Sequence, residues 1–264
     1  MIGIFDSGVG GLSVLRVIRS QAPQLDIVFV ADQVHVPYGP RPLEEVRSFS
    51  DAITHWLIDQ GAQLILVACN AASAASLHWL RERYPHMPFV GMEPAVKPAV
   101  EQTLTRVVGV LATPATFQGA LYASVVERFA QDVTLLTDTC PGLVKQIEAG
   151  DLEGTTTREI LEKALHPMME KGIDTVVLGC THYPFVIPLI REIVGDNVRE
   201  IDPAPAVARQ TIRILTEQNA LPPAEHTGKV RFTTTGPVDS LSRVLPLLIQ
   251  VSDVMVEHCP VFDH

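Results

Sequence analysis

The sequence predicts an α/β protein made of two similar units, each a mainly parallel sheet flanked by helices. Three observations carry this expectation. Short β-branched runs alternate with helix-like segments, one stretch of the chain repeats another, and both copies end a strand on a cysteine. Strand–helix alternation favours parallel sheets because each crossover helix packs back onto a sheet face. The 264 residues can bury a core as one large domain or two modest ones. With 47% hydrophobic and 19% charged residues, the composition is that of a compact soluble protein.

In chain order, IGIF is the first strand. The opening MIGIFDSG lacks a basic segment followed by a long apolar stretch, so it is expected to fold as a strand and not to act as a signal peptide. DSGVGGL then turns into a helix. DIVFVA is the second strand and leads into VPYGPRP, 36–42, a loop stiffened by three prolines. LEEVRSFSDAITHWLIDQG has helical apolar spacing and closes on Gly61. LILVA runs into Cys69, and PFVGM is the next strand. The Pro-rich GMEPAVKPA, 91–99, reads as a first crossing between units. RVVGVLA and DVTLLT are strands, and TTTREILEKALHPMMEKG is a helix closing on Gly172. DTVVLG runs into Cys180 and NVREI follows. IDPAPAVA, 201–208, reads as the return crossing, and KVRFTTT completes the first unit. The expected domains are 1–95 with 206–264, and 96–205.

The repeat is direct. QGAQLILVACNAAS aligns with KGIDTVVLGCTHYP without a gap, and IGIFDSG resembles VGVLATP, which sets Ser7 opposite Thr113. Each unit then presents a hydroxyl and a thiol at the carboxyl ends of its strands, where open parallel sheets bind ligands.

A cysteine at a strand end is by default a packing residue. Cys69 and Cys180 differ in that each begins a strand-to-helix turn and is followed by polar residues: Asn70 in one case, Thr181 and His182 in the other. Unpaired N–H groups at a helix start also favour a thiolate, pulling its pKa below ~8.5. Packing and reactivity both remain open on these residues alone. Cys140 and Cys259 lack such a setting and read as packing. Asp6 either caps the helix after DSG or stands as an acid at a cleft mouth. The glycines of DSGVGGL allow close backbone approach to a ligand. Tyr38 and Gly39 fall at the same sheet edge as Asp6 and Cys69, where stiff loops often border sites. His182 is either structural or a proton relay. Glu148 reads as a solvated helix residue, and His35 has no account.

Several classes are disfavoured. With 20 basic against 30 acidic residues and no basic cluster, nucleic acid is not an expected partner. No apolar run approaches the ~20 residues of a membrane span. DSGVGGL fits neither Gly-x-Gly-x-x-Gly nor a Walker loop. No Cys/His set completes a tetrahedral metal site. Two matched thiols are the wrong arithmetic for a one-nucleophile hydrolase. The four cysteines show no disulfide spacing, which suits a cytoplasmic protein with free thiols.

DSGVGGL, PYG, ACNAAS, CPGLVKQIEAG and LGCTHYP, in this order, resemble the glutamate racemase family within the aspartate/glutamate racemase superfamily. The resemblance implies a cofactor-independent enzyme that interconverts L- and D-glutamate, supplies D-glutamate for peptidoglycan, and forms a homodimer; it also implies two facing domains, pseudo-twofold related, with the active site between them. It assigns Cys69 and Cys180 as opposed acid/base thiols, with Cys69 facing D-glutamate and Cys180 facing L-glutamate. Asp6, His182 and Glu148 fall on assisting positions. Ser7, Tyr38, Gly39, Asn70, Ala71, Thr181, His182, Thr113 and Thr116 fall on substrate-contact motifs, as does Asp6. Ala71 departs from the threonine many members carry, so a side-chain hydroxyl is lost while the backbone N–H remains. A racemase for aspartate or another acidic amino acid, and a silent binding protein of the same fold, are the alternatives.

Overall fold

A computed structural model describes residues 1–251 and 254–263. Its strands are β1 (Ile2–Asp6), β2 (Ile27–Ala31), β3 (Ile65–Val67), β4 (Phe89–Gly91), β5 (Val107–Ala112), β6 (Thr134–Asp138), β7 (Thr175–Gly179), β8 (Arg199–Ile201), β9 (Val230–Thr234) and β10 (Val256–His258). The helices that position the site are α1 (Leu12–Gln21), α2 (Leu43–Asp59) and α3 (Asn70–Arg83). Next come α4 (Val96–Gln102), α5 (Pro114–Gln118), α6 (Ala120–Phe129), α7 (Leu143–Glu148) and α8 (Thr155–Glu170). The last are α9 (Ile187–Val194), α10 (Ala204–Glu217) and α11 (Val238–Ile249).

The strands form a six-stranded sheet in the order β10-β9-β2-β1-β3-β4 and a four-stranded sheet in the order β6-β5-β7-β8. Every pairing is parallel. The fold class is therefore α/β, with two parallel sheets flanked by helices. The repeat is visible as topology, since β2-β1-β3-β4 and β6-β5-β7-β8 run in the same spatial order. Strands β1, β2, β3 and β7 are buried along their whole length, as expected where helices cover both faces of a sheet.

All nine expected strands are present; β10 is the addition. Its three residues, VEH, carry two polar side chains and no apolar run, so nothing local announces it. Val256 pairs with Phe232 of β9, and that tertiary contact creates the strand. The two helices expected to close on glycine do so identically. Gly61 (φ +88°) donates to Ile58 and Ala62 to Leu57; Gly172 (φ +79°) donates to Met169 and Ile173 to Met168. Each glycine occupies the left-handed position that satisfies the last helical carbonyls.

One buried cluster runs from Ile4 and Leu66 in the first sheet to Leu111 and Leu178 in the second, so the two sheets share a core. Asp6 ends β1, Cys69 lies just beyond β3, Thr113 just beyond β5 and Cys180 just beyond β7. All four therefore stand at carboxyl ends of strands. Among the described residues, no helix is long and apolar enough to cross a membrane.

Candidate active site

Cys69 is the N-cap of α3, and its Sγ accepts from the Ala72 N–H at 3.5 Å. It also lies 3.9 Å from the Ser7 hydroxyl. A helix start alone would favour the thiolate, yet here burial, and then the charge of Asp6, push the Cys69 thiol well above its ordinary value. The lowering expected from the helix N-terminus is thus overturned: desolvation outweighs one N–H. Asp6 is itself fully buried, and burial raises its carboxyl while the charge of His182 opposes the rise. Its Oδ2 accepts from the Gly11 N–H at 2.8 Å, which is a capping contact, whereas Oδ1 has no hydrogen-bond partner among the described residues.

Cys180 has a different neighbour. Its Sγ is 3.7 Å from Nδ1 of His182, whose Nε2 is 2.6 Å from Oε1 of Glu148. Glu148 is not solvated: its side chain is 12% exposed and accepts from the Val9 N–H at 2.7 Å and from Gln33 at 3.1 Å. Burial disfavours charge on both members of this pair. Hydrogen bonds to Cys180 and Glu148 nevertheless carry His182 well above its ordinary value, and the bond from His182 holds Glu148 below its own. Both shifts favour the charged forms, an imidazolium facing a carboxylate.

Cys69 and Cys180 line one cavity of about 20 Å³, together with Ser7, Tyr38, Gly39, Asn70, Ala71, Thr113, Thr181 and His182. Asn70 is buried with neither amide atom hydrogen-bonded, which is costly unless a ligand completes it. Thr116 sits behind Thr113, hydroxyl to hydroxyl at 3.1 Å, and does not line the cavity. Asp6 and Glu148 also stand behind the wall, beside Cys69 and His182. Cys140 and Cys259 are buried in apolar clusters. A larger cleft of about 970 Å³ between β4, β8 and α10 holds none of the expected site residues.

Gly8 and Gly10, after Asp6, leave room for side chains of the second unit. A Cβ at Gly8 would run into Glu148, and one at Gly10 into His182 and Thr181. The space they leave is taken by the other unit, which lets Glu148 reach the Val9 N–H across the interface. Ser13 adds a second crossing, donating to the Thr181 carbonyl at 2.9 Å. Gly39 adds a third: its carbonyl accepts from Ala115 at 2.9 Å, and a Cβ there would press on Thr113.

Three participants escaped the sequence reading. Val144 and Pro37 line the cavity. Asp32, fully buried, accepts from the Tyr38 hydroxyl at 2.5 Å. Its place just beyond β2, next to the strand that Asp6 ends, was the signal that could have found it.

Comparison with known proteins returns a consistent neighbourhood. A family model described as Asp/Glu/Hydantoin racemase matches residues 2–211. A glutamate racemase of Pseudomonas paraeruginosa is 49% identical over 247 residues, covering 94% of this chain and 93% of its own. A crystal structure of a glutamate racemase isoform from Bacillus anthracis superposes with a TM-score of 0.86 at 31% identity, covering 98% of this chain and 97% of that one. The Francisella tularensis glutamate racemase in complex with D-glutamate gives 0.85 at 28% identity, covering 100% and 98%.

Proposed function

The chain belongs to the Asp/Glu/hydantoin racemase family, and we propose that it interconverts L- and D-glutamate through two thiols acting on opposite faces of Cα. The enzyme is an isomerase. The observation that carries the two-thiol reading is the shared cavity: Cys69 and Cys180, from matched strand ends of different sheets, line the same small space, each with its own titratable neighbour.

In this reading one sulfur takes the α-proton as thiolate while the other, as thiol, delivers a proton to the opposite face. Cys69 serves D-glutamate and Cys180 serves L-glutamate. Asp6 exchanges a proton with the first sulfur and the His182–Glu148 pair with the second. Backbone N–H groups at the start of the helix after Cys69 hold carboxylate charge as it grows. Asn70, with its unpartnered amide, meets a polar group of the substrate. Ser7, Tyr38, Gly39, Ala71, Thr113 and Thr181 shape the remaining wall, and Thr116 orients Thr113.

A cavity of about 20 Å³ holds roughly one water and no amino acid. Substrate entry therefore requires the two sheets to part along the Val9–Glu148, Ser13–Thr181 and Gly39–Ala115 crossings, and reclosure expels water from the reacting carbon. The reading extends to two domains divided as 1–95 with 206–264 and 96–205, to a cytoplasmic homodimer, and to supply of D-glutamate for peptidoglycan. Four buried free thiols suit a reducing compartment.

The test is circular dichroism of solutions of L-glutamate, D-glutamate, L-aspartate and D-aspartate with the purified chain and no added cofactor. Decay of both glutamate signals to zero is expected. Decay of the aspartate signals alone would transfer the activity to the shorter substrate, and no decay of any would favour a silent binding protein.

A further inference from the structure

We infer that His35 is a positioning residue for the active-site wall, acting through Asp32 on Tyr38. This rests on the racemase reading of the cavity and adds a residue that none of the motifs contains. His35 Nδ1 lies 3.0 Å from both oxygens of Asp32. The same carboxylate accepts from the Tyr38 hydroxyl at 2.5 Å and from the Thr235 hydroxyl at 2.7 Å. Three groups thus face that carboxylate, and the tautomer that lets the His35 ring donate to it has its proton on Nδ1. Burial, and then the Asp32 charge, hold the Tyr38 phenol well above its ordinary value, which keeps it a donor.

The consequence runs along the chain. The Tyr38 hydroxyl is anchored on Asp32 while the residue itself lines the cavity. Fixing Tyr38 fixes Gly39, whose carbonyl receives the Ala115 N–H from the opposite unit. The Asp32 N–H in turn bonds to the Asp6 carbonyl at 2.9 Å, tying the anchor to the strand end that carries the acid beside Cys69. The His35 ring is held for this task. It stacks on Phe49 at 3.8 Å between centroids, meets Phe262 edge-on at 4.7 Å, and its carbonyl accepts from Arg41 at 2.7 Å.

Two substitutions separate the hydrogen bond from the stack. His35→Phe keeps the aromatic contacts and removes the donor; His35→Asn keeps a donor near Nδ1 and removes the ring. Each is made with and without Tyr38→Phe, which cuts the proposed route. The readouts are kcat and KM for both glutamate enantiomers, and amide exchange at Ala115, which needs no turnover. His35→Phe is expected to raise KM roughly tenfold, the order of one charge-assisted hydrogen bond, and to speed Ala115 exchange. His35→Asn is expected to change both less. In the Tyr38→Phe background the KM effect of His35→Phe should largely vanish, as it does when two residues act in series. An Ala115 amide unchanged in His35→Phe, or an equal KM factor in both Tyr38 backgrounds, overturns the inference. If His35→Phe does not fold, His35→Leu takes its place with the same readouts. Absence of turnover in the unsubstituted chain would count against the racemase reading alone, and Ala115 exchange would still decide the role of His35.

Discussion

Glu148→Gln offers the most searching test of the relay behind Cys180. The carboxylate takes three donors, from Val9 at 2.7 Å, Gln33 at 3.1 Å and His182 at 2.6 Å, and its partner imidazole is 2% exposed. Removing one member of a buried ion pair costs about 3–5 kcal/mol when the other charge stays behind. Two features reduce that here. The glutamine oxygen still accepts from Val9, and His182 can shed its proton, recovering about 1.4 kcal/mol for each unit by which the pH exceeds its lowered pKa. A net loss of about 2 kcal/mol is expected. Its pH dependence is the diagnostic part. His182 is raised in the folded state, so its contribution is complete below its ordinary value near 6.5 and fades as pH climbs through the raised one. Glu148 is lowered, so its contribution is complete above about 4.5 and fades as pH falls through the lowered value. Urea unfolding of both proteins should therefore differ most between about pH 4.5 and 6.5 and converge at higher pH. A difference constant from pH 5 to 9, or none, would refute the ion pair. Because the two enantiomers have equal free energy, kcat/KM must fall by one common factor in both directions.

Cys69→Ser and Cys180→Ser are each expected to abolish racemisation with far-ultraviolet circular dichroism unchanged; full activity in either removes the two-thiol mechanism. Run in one direction in deuterated water, the reaction should place solvent deuterium at Cα of the product, and retention of the substrate hydrogen throughout would contradict it. Asp6→Asn removes a charge that pushes Cys69 up, so iodoacetamide labelling of Cys69 at pH 8, followed by mass spectrometry, should be faster than in the parent. Gly8→Ala should cost about 1–3 kcal/mol and impair turnover, because the methyl displaces Glu148. Gly61→Ala, strained by φ +88° but facing open space, should cost about 1 kcal/mol and leave kcat intact. Equal losses of activity in the two would argue that Gly8 is merely a turn.

The site was legible where chemistry and local pattern coincide. Cys69 and Cys180 were marked by the repeat and by the polar residues after each thiol, and Asp6 by its place at a strand end. The Schellman glycines were legible because a left-handed φ restricts residue choice within a few positions. Asp32 and His35 were not, since their meaning lies in Tyr38 and Thr235, the latter some two hundred positions away. Strand β10 was hidden for the same reason.

What the linear chain decides by itself is the architecture and which thiols stand at matched strand ends. Parallel strands, crossover helices and two thiols at matched turns follow from periodicities and spacings that act over a dozen residues. Protonation was decided only by the tertiary structure. The helix start beside Cys69 would lower its thiol, but burial and Asp6 raise it; Glu148 would be solvated on an isolated helix, but the space left by Gly8 admits it to the Val9 N–H and to His182. Electrostatic terms depend on what water is excluded and which charges face one another across the two sheets, and those facts exist only once the halves have closed.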